Sequence, residues 1–342
     1  MAAVSYKCPN CGGELRFDPA TQKYKCAYCL SYFDDVEEEQ EAQESARTEE
    51  AVHEAVVYTC PSCGAEIVTD STTAATFCYY CHNPVVLEGR LSGAYLPDQV
   101  IPFKLDKKQA TEAFLSFVKK KKFVPKAFFN QEQIEKLTGV YYPYWVCDAK
   151  GDGSILAEAT RLRVWRAGDM EYTETRVYHA ERAGEISMQE MVRGALKKAD
   201  RQLSEGVWPY DMNACQPFEL GYLSGFQAEK RDLERADLDG EIQADIQEYG
   251  ERLLSESVNG YDSVRVKKSQ IRADEQDWKY VLLPVWVLTY RDKGGKLYYY
   301  AMNGQNGDFG GVLPIDWGKI AALFFGVAIP VLIAFLIGGY FL

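Results

Sequence analysis

The sequence predicts a multidomain chain: two small β units, a mixed α+β domain, and one C-terminal helix long enough to span a membrane. Three observations carry this expectation. Eight of the ten cysteines fall into four Cys-x-x-Cys pairs, the segment holding the first two pairs recurs 52 residues later, and the last 23 residues carry no charge. A length of 342 residues accommodates about two to four such units.

The cysteine units come first. Residues 8–29 read CPNCGGELRFDPATQKYKCAYC and residues 60–81 read CPSCGAEIVTDSTTAATFCYYC. Ten of the 22 positions are identical, among them Pro9/Pro61, Gly12/Gly64, Glu14/Glu66, Asp18/Asp70 and Tyr28/Tyr80, so one module is duplicated. In a chain of this size Cys-x-x-Cys pairs favour metal over a disulfide framework. Each pair places two sulfurs on one knuckle, and two knuckles at the ends of a short hairpin enclose one ion. Leu15 and Phe17 in the first copy, and Ile67 in the second, sit where the outgoing strand of that hairpin falls. The turns fall at residues 18–21 and 70–73. Gly12 and Gly64 follow their knuckles, where positive φ is cheap for glycine.

Zinc takes four tetrahedral ligands and thiolates hold it strongly. The expected ligand sets are Cys8, Cys11, Cys26 and Cys29, and Cys60, Cys63, Cys78 and Cys81, each around one structural Zn²⁺. Fe–S ligation or a redox Cys-x-x-Cys explains neither the pairing of the sets nor the repeated hairpin. Four thiolates leave no open position for water or substrate, so the role expected is structural. His82 follows Cys81 directly, but with four cysteines in place it is read as a surface or outer residue. His53 and His179 are given no role, and Cys147 and Cys215 are read as small buried hydrophobes.

Between the copies the chain is acidic. From Asp34 to Glu50 there are nine acidic residues and one arginine, without Pro or Gly, which suits a charged helical spacer. The net charge of −12 and pI near 5.0 argue against a general nucleic-acid binder. Residues 60–87 contain no Lys or Arg at all. Nucleic acid is therefore an unlikely ligand of the cysteine units, and protein docking is the better inference.

The region 95–317 reads as a mixed α+β domain. Asp106 with Gln109 has the capping-box pattern ahead of a helix carrying Phe114, Phe117 and Val118. Residues 140–146 (VYYPYWV) form a strand-type run, followed by a Gly-rich turn and a second strand over 155–165. Ser187 with Glu190 predicts the start of a helix striped by Met188, Met191, Val192, Ala195, Leu196, Ala199 and Leu203. A charged helix is expected over 233–255, then strands over 264–271, 280–290 and 296–302, the last two joined through Lys293, Gly294 and Gly295. The prolines in VYYPYWV and in VLLPVWV (281–287) predict edge strands or bulges.

Residues 320–342 read IAALFFGVAIPVLIAFLIGGYFL. At 1.5 Å per residue they reach about 34 Å, enough for a hydrocarbon core of about 30 Å. Pro330 permits a kink at mid-span. Thiolate sites need reducing surroundings, and Lys319 precedes the span, so the large N-terminal part is expected on the cytoplasmic side of the cell membrane, single-pass. No charged n-region followed by an apolar stretch opens the chain, and no signal peptide is expected. The full organisation expected is a zinc ribbon over 1–33, an acidic helical linker over 34–54, a second zinc ribbon over 55–90, an α+β domain over 95–317 and a transmembrane helix over 320–342.

One basic cluster stands out: Lys104, Lys107, Lys108, Lys119, Lys120, Lys121, Lys122 and Lys126. It could meet anionic lipid, RNA or an acidic partner, or be a solvated helix end. No phosphate-binding loop, G-x-S-x-G elbow or H-E-x-x-H pair is present, and no enzyme activity is expected.

The duplicated CPxCG…CxYC ribbons, the VYYPYWV and YVLLPVWVLTY runs and the terminal apolar helix together resemble the YdjG-like proteins of Gram-positive bacteria, across essentially the whole chain. The resemblance implies membrane-anchored double zinc-ribbon architecture and a role in envelope stress. It implies association with a phage-shock protein A homologue, a TPM-domain membrane protein and an SPFH-domain protein. The expected function is thus a cytoplasm-facing adaptor that docks partners at the bilayer, the alternative being a membrane-tethered nucleic-acid-binding protein.

Overall fold

Alternating buried and exposed positions build short strands at the N-terminal end and three very long ones further along the chain. The computed structural model describes residues 3–35, 56–78, 81–87, 89–199, 206–291, 295–311 and 313–341. The expected acidic helical linker (34–54) lies almost wholly outside the described residues. In chain order the elements are β1 (Ala3–Val4), β2 (Leu15–Asp18), β3 (Lys23–Cys26), β4 (Tyr32–Phe33), β5 (Val56–Thr59), β6 (Glu66–Thr69), β7 (Thr73–Phe77), β8 (Pro84–Leu87) and β9 (Gln99–Val100). Then come α1 (Lys107–Lys119), α2 (Gln131–Glu135), β10 (Thr138–Ala167), β11 (Met170–Gly194), β12 (Gln216–Pro217) and β13 (Gln227–Glu229). Last are α3 (Arg235–Glu256), β14 (Ser263–Arg291), β15 (Leu297–Asn303), β16 (Phe309–Gly311) and α4 (Trp317–Phe341).

The chain divides into two compact units, one of Met1–Pro143, Leu196–Lys230 and Leu282–Leu342, the other of Tyr144–Ala195 and Arg231–Val281. Two small β units bearing the cysteines, a larger α/β sheet and one apolar C-terminal helix match the fold class expected.

In the first unit the main sheet runs β1-β8-β7-β13-β10-β14-β15-β16, with β9 pairing β12 and β14. Its core is aromatic. Phe103 stacks on Phe226 with ring centroids 4.2 Å apart, and meets Tyr141 and Trp286 edge-on at 5.0 and 5.2 Å. α1 starts with the expected capping box of Asp106 and Gln109, and buries Ala110, Phe114 and Val118. Phe117 is half-buried, 4.2 Å from the Phe309 ring.

The second unit is built on one antiparallel hairpin, β10 with β11, in register from Tyr144↔Gly194 to Ala167↔Met170. Cys147, Ala149, Ile186, Met188 and Met191 from it pack with Ile242 and Ile246 of α3. Leu238, Ile242, Ile246 and Gly250 recur every fourth residue and form the buried stripe of that helix.

Four expectations are corrected. The helix expected from Ser187 is the end of strand β11. Met188 and Met191 are both buried although three apart, because a bulge intervenes: Cys147 faces Met191 while Ala149 faces Met188. Glu190 takes φ +58° there and its amide donates to Asp148 Oδ1 at 2.8 Å. The bulge shifts the two-residue phase, so an interrupted strand imitates a helical stripe. The Gly-rich turn does not exist either, since β10 runs unbroken through Gly151 and Gly153. The segments 264–271 and 280–290 likewise form one strand, β14. Finally, neither proline marks an edge. β10 and β14 are interior strands, Pro143 lying between the β13 ladder (Val140, Tyr141) and the β11 ladder from Tyr144. Pro284 sits just before the β15 ladder, which begins at Val285. Each sits where the ladder to one neighbour begins or ends.

Candidate metal centres

The described residues of all four Cys-x-x-Cys segments share one backbone hydrogen-bond pattern. Each segment lies between two antiparallel-paired residues with six positions between them: Lys7↔Glu14, Lys25↔Tyr32, Thr59↔Glu66 and Phe77↔Pro84. In each, the first cysteine's amide donates to the carbonyl five residues on: Cys8 to Gly13 (2.6 Å), Cys26 to Ser31 (2.9 Å), Cys60 to Ala65 (2.8 Å) and Cys78 to Asn83 (2.9 Å). The amide four residues on returns a bond to the cysteine carbonyl, from Gly12, Leu30, Gly64 and His82 in turn. That fourth residue always has positive φ, at +70°, +60°, +75° and +60°. His82 therefore has a backbone duty, and its side chain is exposed.

The loops bring their thiols together in two groups of four, Cys8, Cys11, Cys26 and Cys29, and Cys60, Cys63, Cys78 and Cys81, the sulfurs of each group all within 4.8 Å of one another. Cys8–Cys29 and Cys11–Cys26 lie at 3.5 Å, and Cys60–Cys81 and Cys63–Cys78 at 3.7 Å. A tetrahedral ion with Zn–S of about 2.3 Å requires sulfurs about 3.8 Å apart, so the donor sets fit Zn²⁺ in number, chemistry and spacing. The thiols do not ionise alike without a cation. The Ser31 hydroxyl and amide pull Cys29 down to about 6. Cys11 is pushed up to about 12: the Gly13 amide opposes the rise, but the neighbouring Cys26 and Cys29 outweigh it. Burial raises Cys60, and takes Cys81 up to about 12. Only a bound cation would let four crowded thiols all become thiolates.

The two copies are mounted differently. In the first, β2 and β3 pair directly from Leu15↔Cys26 to Asp18↔Lys23, as the repeated-hairpin expectation has it. The Ser224 hydroxyl donates to the Leu15 carbonyl (2.6 Å), and the Tyr222 ring meets Phe17 edge-on. In the second, β6 pairs with β5 in a separate two-stranded sheet, while β7 pairs with β8 and β13 in the main sheet. The second copy is thus not a free hairpin. A small core of Tyr58, Cys60, Ile67, Cys78, Val85 and Leu87 joins its parts. Ser62 Oγ of this copy donates to Glu14 Oε1 of the first at 3.0 Å.

Of the other residues singled out, His53 lies outside the described residues, and His179 is exposed on β11 opposite Glu158. Cys147 is fully buried and Cys215 half-buried. In the basic cluster, Lys107 Nζ donates to the Glu135 carbonyl, Lys119 and Lys120 close α1, and Lys121 and Lys122 follow it. α4 is the one described helix long and apolar enough to cross a membrane, and none of its apolar window, Trp317–Leu336, is buried. Sequence reading missed Leu30, which is 61% exposed beside Tyr28 (75%) and Tyr32 (44%). Its cue was its place four residues after Cys26, where the matching loops at Cys8 and Cys60 put glycine.

No family model and no solved structure matches the chain. It is 34% identical over 325 residues to YdjG of Bacillus subtilis (strain 168), an uncharacterized protein, covering 95% of this chain and 94% of that one. The chain belongs to the YdjG family.

Proposed function

We propose that this YdjG-family chain is a non-catalytic membrane adaptor: α4 spans the cell membrane, the cysteine units hold two structural Zn²⁺ ions on the cytoplasmic side, and the first unit docks partner proteins there. The observation that carries this reading is the joint presence, in one compact unit, of two closed four-thiol sites and an apolar helix with no residue of its membrane-length window Trp317–Leu336 buried. A closed thiolate site shapes a surface and offers no position for chemistry. Reducing surroundings for eight thiols support the cytoplasmic orientation.

Leu30 supports the docking role. A bulky residue at positive φ costs about 1–2 kcal/mol that glycine would not. Holding an exposed leucine there between two exposed tyrosines fits a surface kept for contact rather than for stability. The resemblance to YdjG-like proteins supports envelope stress as the setting, with a phage-shock protein A homologue and TPM- and SPFH-domain proteins as partners.

The test is co-purification from native membranes, comparing the intact chain with a Tyr28→Ser, Leu30→Gly variant. Removing residues 1–90 is a poorer choice, because β7 and β8 are strands of the main sheet. Partners lost from a variant with unchanged zinc content support docking through the first unit. An unchanged partner list sinks it. Nucleic acid that co-purifies and is released steeply by salt favours the tethered nucleic-acid binder instead.

A further inference from the structure

Folding brings the lysine run after α1 to the foot of α4. The Asp316 amide donates to the Phe123 carbonyl at 2.7 Å, and Lys319 Nζ in the first turn of α4 donates to the Val124 carbonyl at 2.6 Å. Residues 195 apart in sequence are thereby tied together where the apolar helix begins. A shallow cleft opens there, lined by Lys120, Lys121, Lys122, Phe123, Leu313 and Ile315. Ile315 and Trp317 are 51% and 73% exposed beside it. Asp316, the nearest carboxylate on this segment, is already paired with Lys319 at 3.9 Å. Among the described ion pairs none involves Lys120, Lys121 or Lys122.

We propose that this foot binds anionic phospholipid head groups of the leaflet that α4 enters first. Three observations converge on that ligand. The span starts at Trp317, so the cleft stands at head-group depth once α4 is inserted, and an exposed Trp with Ile beside it suits the interface. Three ammonium groups on long stems, none in an ion pair among the described residues and Lys121 lying 5.0 Å from the Phe117 ring centroid, are the chemistry that meets phosphate esters at a bilayer surface. The chain as a whole carries −12, so attraction to an anionic bilayer must come from a local basic site rather than from bulk charge. The lysines also add to the positive charge on this side of the span, which sequence proximity credits to Lys319 alone. The inference rests on α4 being a transmembrane span.

The test uses the full chain purified in neutral detergent and titrated with phosphatidylglycerol or phosphatidylcholine, bound lipid being counted by native mass spectrometry. Phosphatidylglycerol should bind more tightly than phosphatidylcholine, and the preference should shrink with salt. The triple variant Lys120→Gln, Lys121→Gln, Lys122→Gln should lose roughly a hundredfold in phosphatidylglycerol affinity, about fivefold per lysine. The corresponding triple arginine variant should keep it, which separates loss of charge from loss of fold. Equal affinity for the two lipids in the intact chain overturns the proposal, as does a preference that survives in the glutamine variant. Competition by free glycerol phosphate at equal concentration would assign the cleft to soluble phosphate and also overturn it. Flotation with phosphatidylcholine vesicles, resistant to alkaline carbonate, tests the span by itself.

Discussion

Three glycines of the β10–β11 hairpin should respond to alanine in a graded way, because the same methyl group meets three different walls. A Cβ on Gly151 would lie 1.9 Å from the Arg272 carbonyl oxygen, which is backbone of β14 and can yield only if the strand moves. On Gly153 it would meet Ile186 Cδ1 at 2.3 Å and Ile271 Cδ1 at 2.8 Å, the ends of side chains with other rotamers available. On Gly184, the cross-strand partner of Gly153, it would meet nothing within 4 Å. Replacing glycine by alanine inside a strand gains about 0.5–1 kcal/mol in each case. Overpacking a core costs about 1–3 kcal/mol, and the upper end belongs to a fixed backbone wall. The net expectation is a loss of about 2–3 kcal/mol for Gly151→Ala, about 1 kcal/mol for Gly153→Ala, and a gain of about 0.5 kcal/mol for Gly184→Ala. Hydrogen exchange of the β10 amides, read as opening free energy in the full chain, measures all three on one scale. Equal effects at the three positions would refute the close-approach argument, and a harmless Gly151→Ala would restore the turn expected from sequence.

Mass spectrometry of metal content should give two zinc ions per chain, and chelation should expose the knuckle amides of Cys8 and Cys26 to exchange while the β10–β11 ladder stays protected. Gly12→Ala should cost about 1 kcal/mol at the first site through φ alone, since nothing lies within 4 Å of the new methyl group; Leu30→Gly, relieving the same strain, should leave thermal stability within about 1 kcal/mol of the intact chain. Lys198 holds Asp70 at 2.7 Å and the mostly buried Glu229 at 2.8 Å. Lys198→Met should therefore destabilise the first unit by about 2 kcal/mol at neutral pH in urea unfolding. Burial already raises the Glu229 carboxyl, with Lys198 opposing, so the variant's Glu229 is raised further. The folded state then binds the proton more readily than the unfolded one, and part of the loss should return as pH falls toward 5. A loss independent of pH would show that Glu229 is not the group left stranded.

What could be read from sequence was local. Cysteine spacing, the glycine after the knuckle, the Asp106 capping box, the helix near 233–255 and the apolar C-terminal run all act within a few residues, and each is present. What failed depended on distant partners. Gly151 and Gly153 look like a turn until Arg272 and Ile186 are placed against them. Met188 and Met191 look like a helical stripe until Asp148 opens a bulge opposite Glu190. The lysine run stays open in sequence between lipid, RNA, an acidic partner and a solvated helix end, because the foot of α4 that it meets is nearly two hundred residues away. The different mounting of two copies with ten identical positions is the same kind of fact, decided by which strands lie next to β6 and β7.

That mounting makes the two metal sites unequal in consequence. At the first site the two knuckle hairpins stay joined without metal, since the β2–β3 ladder runs between them and Ser224 anchors Leu15. At the second, one knuckle closes β5–β6 and the other closes β7–β8, and no ladder links β6 to β7. Apart from an ion held there, the join rests on the small core around Tyr58 and Ile67 and on Arg90, which donates to Tyr58 Oη at 2.5 Å and to the Ser71 and Asp70 carbonyls. Zinc supplies about 10–16 kcal/mol in small ribbon peptides, more than the roughly 6–12 kcal/mol that burying Tyr58, Ile67, Val85 and Leu87 provides at most. Cys63→Ser should therefore strip exchange protection from the β5–β6 amides while the β7–β8 amides keep theirs, held by β13. Cys11→Ser should loosen the loop at Cys8 but leave the β2–β3 amides protected. If β5–β6 stays protected in Cys63→Ser, the apolar core rather than the ion joins that sheet to the main one, and the second site is dispensable for the fold.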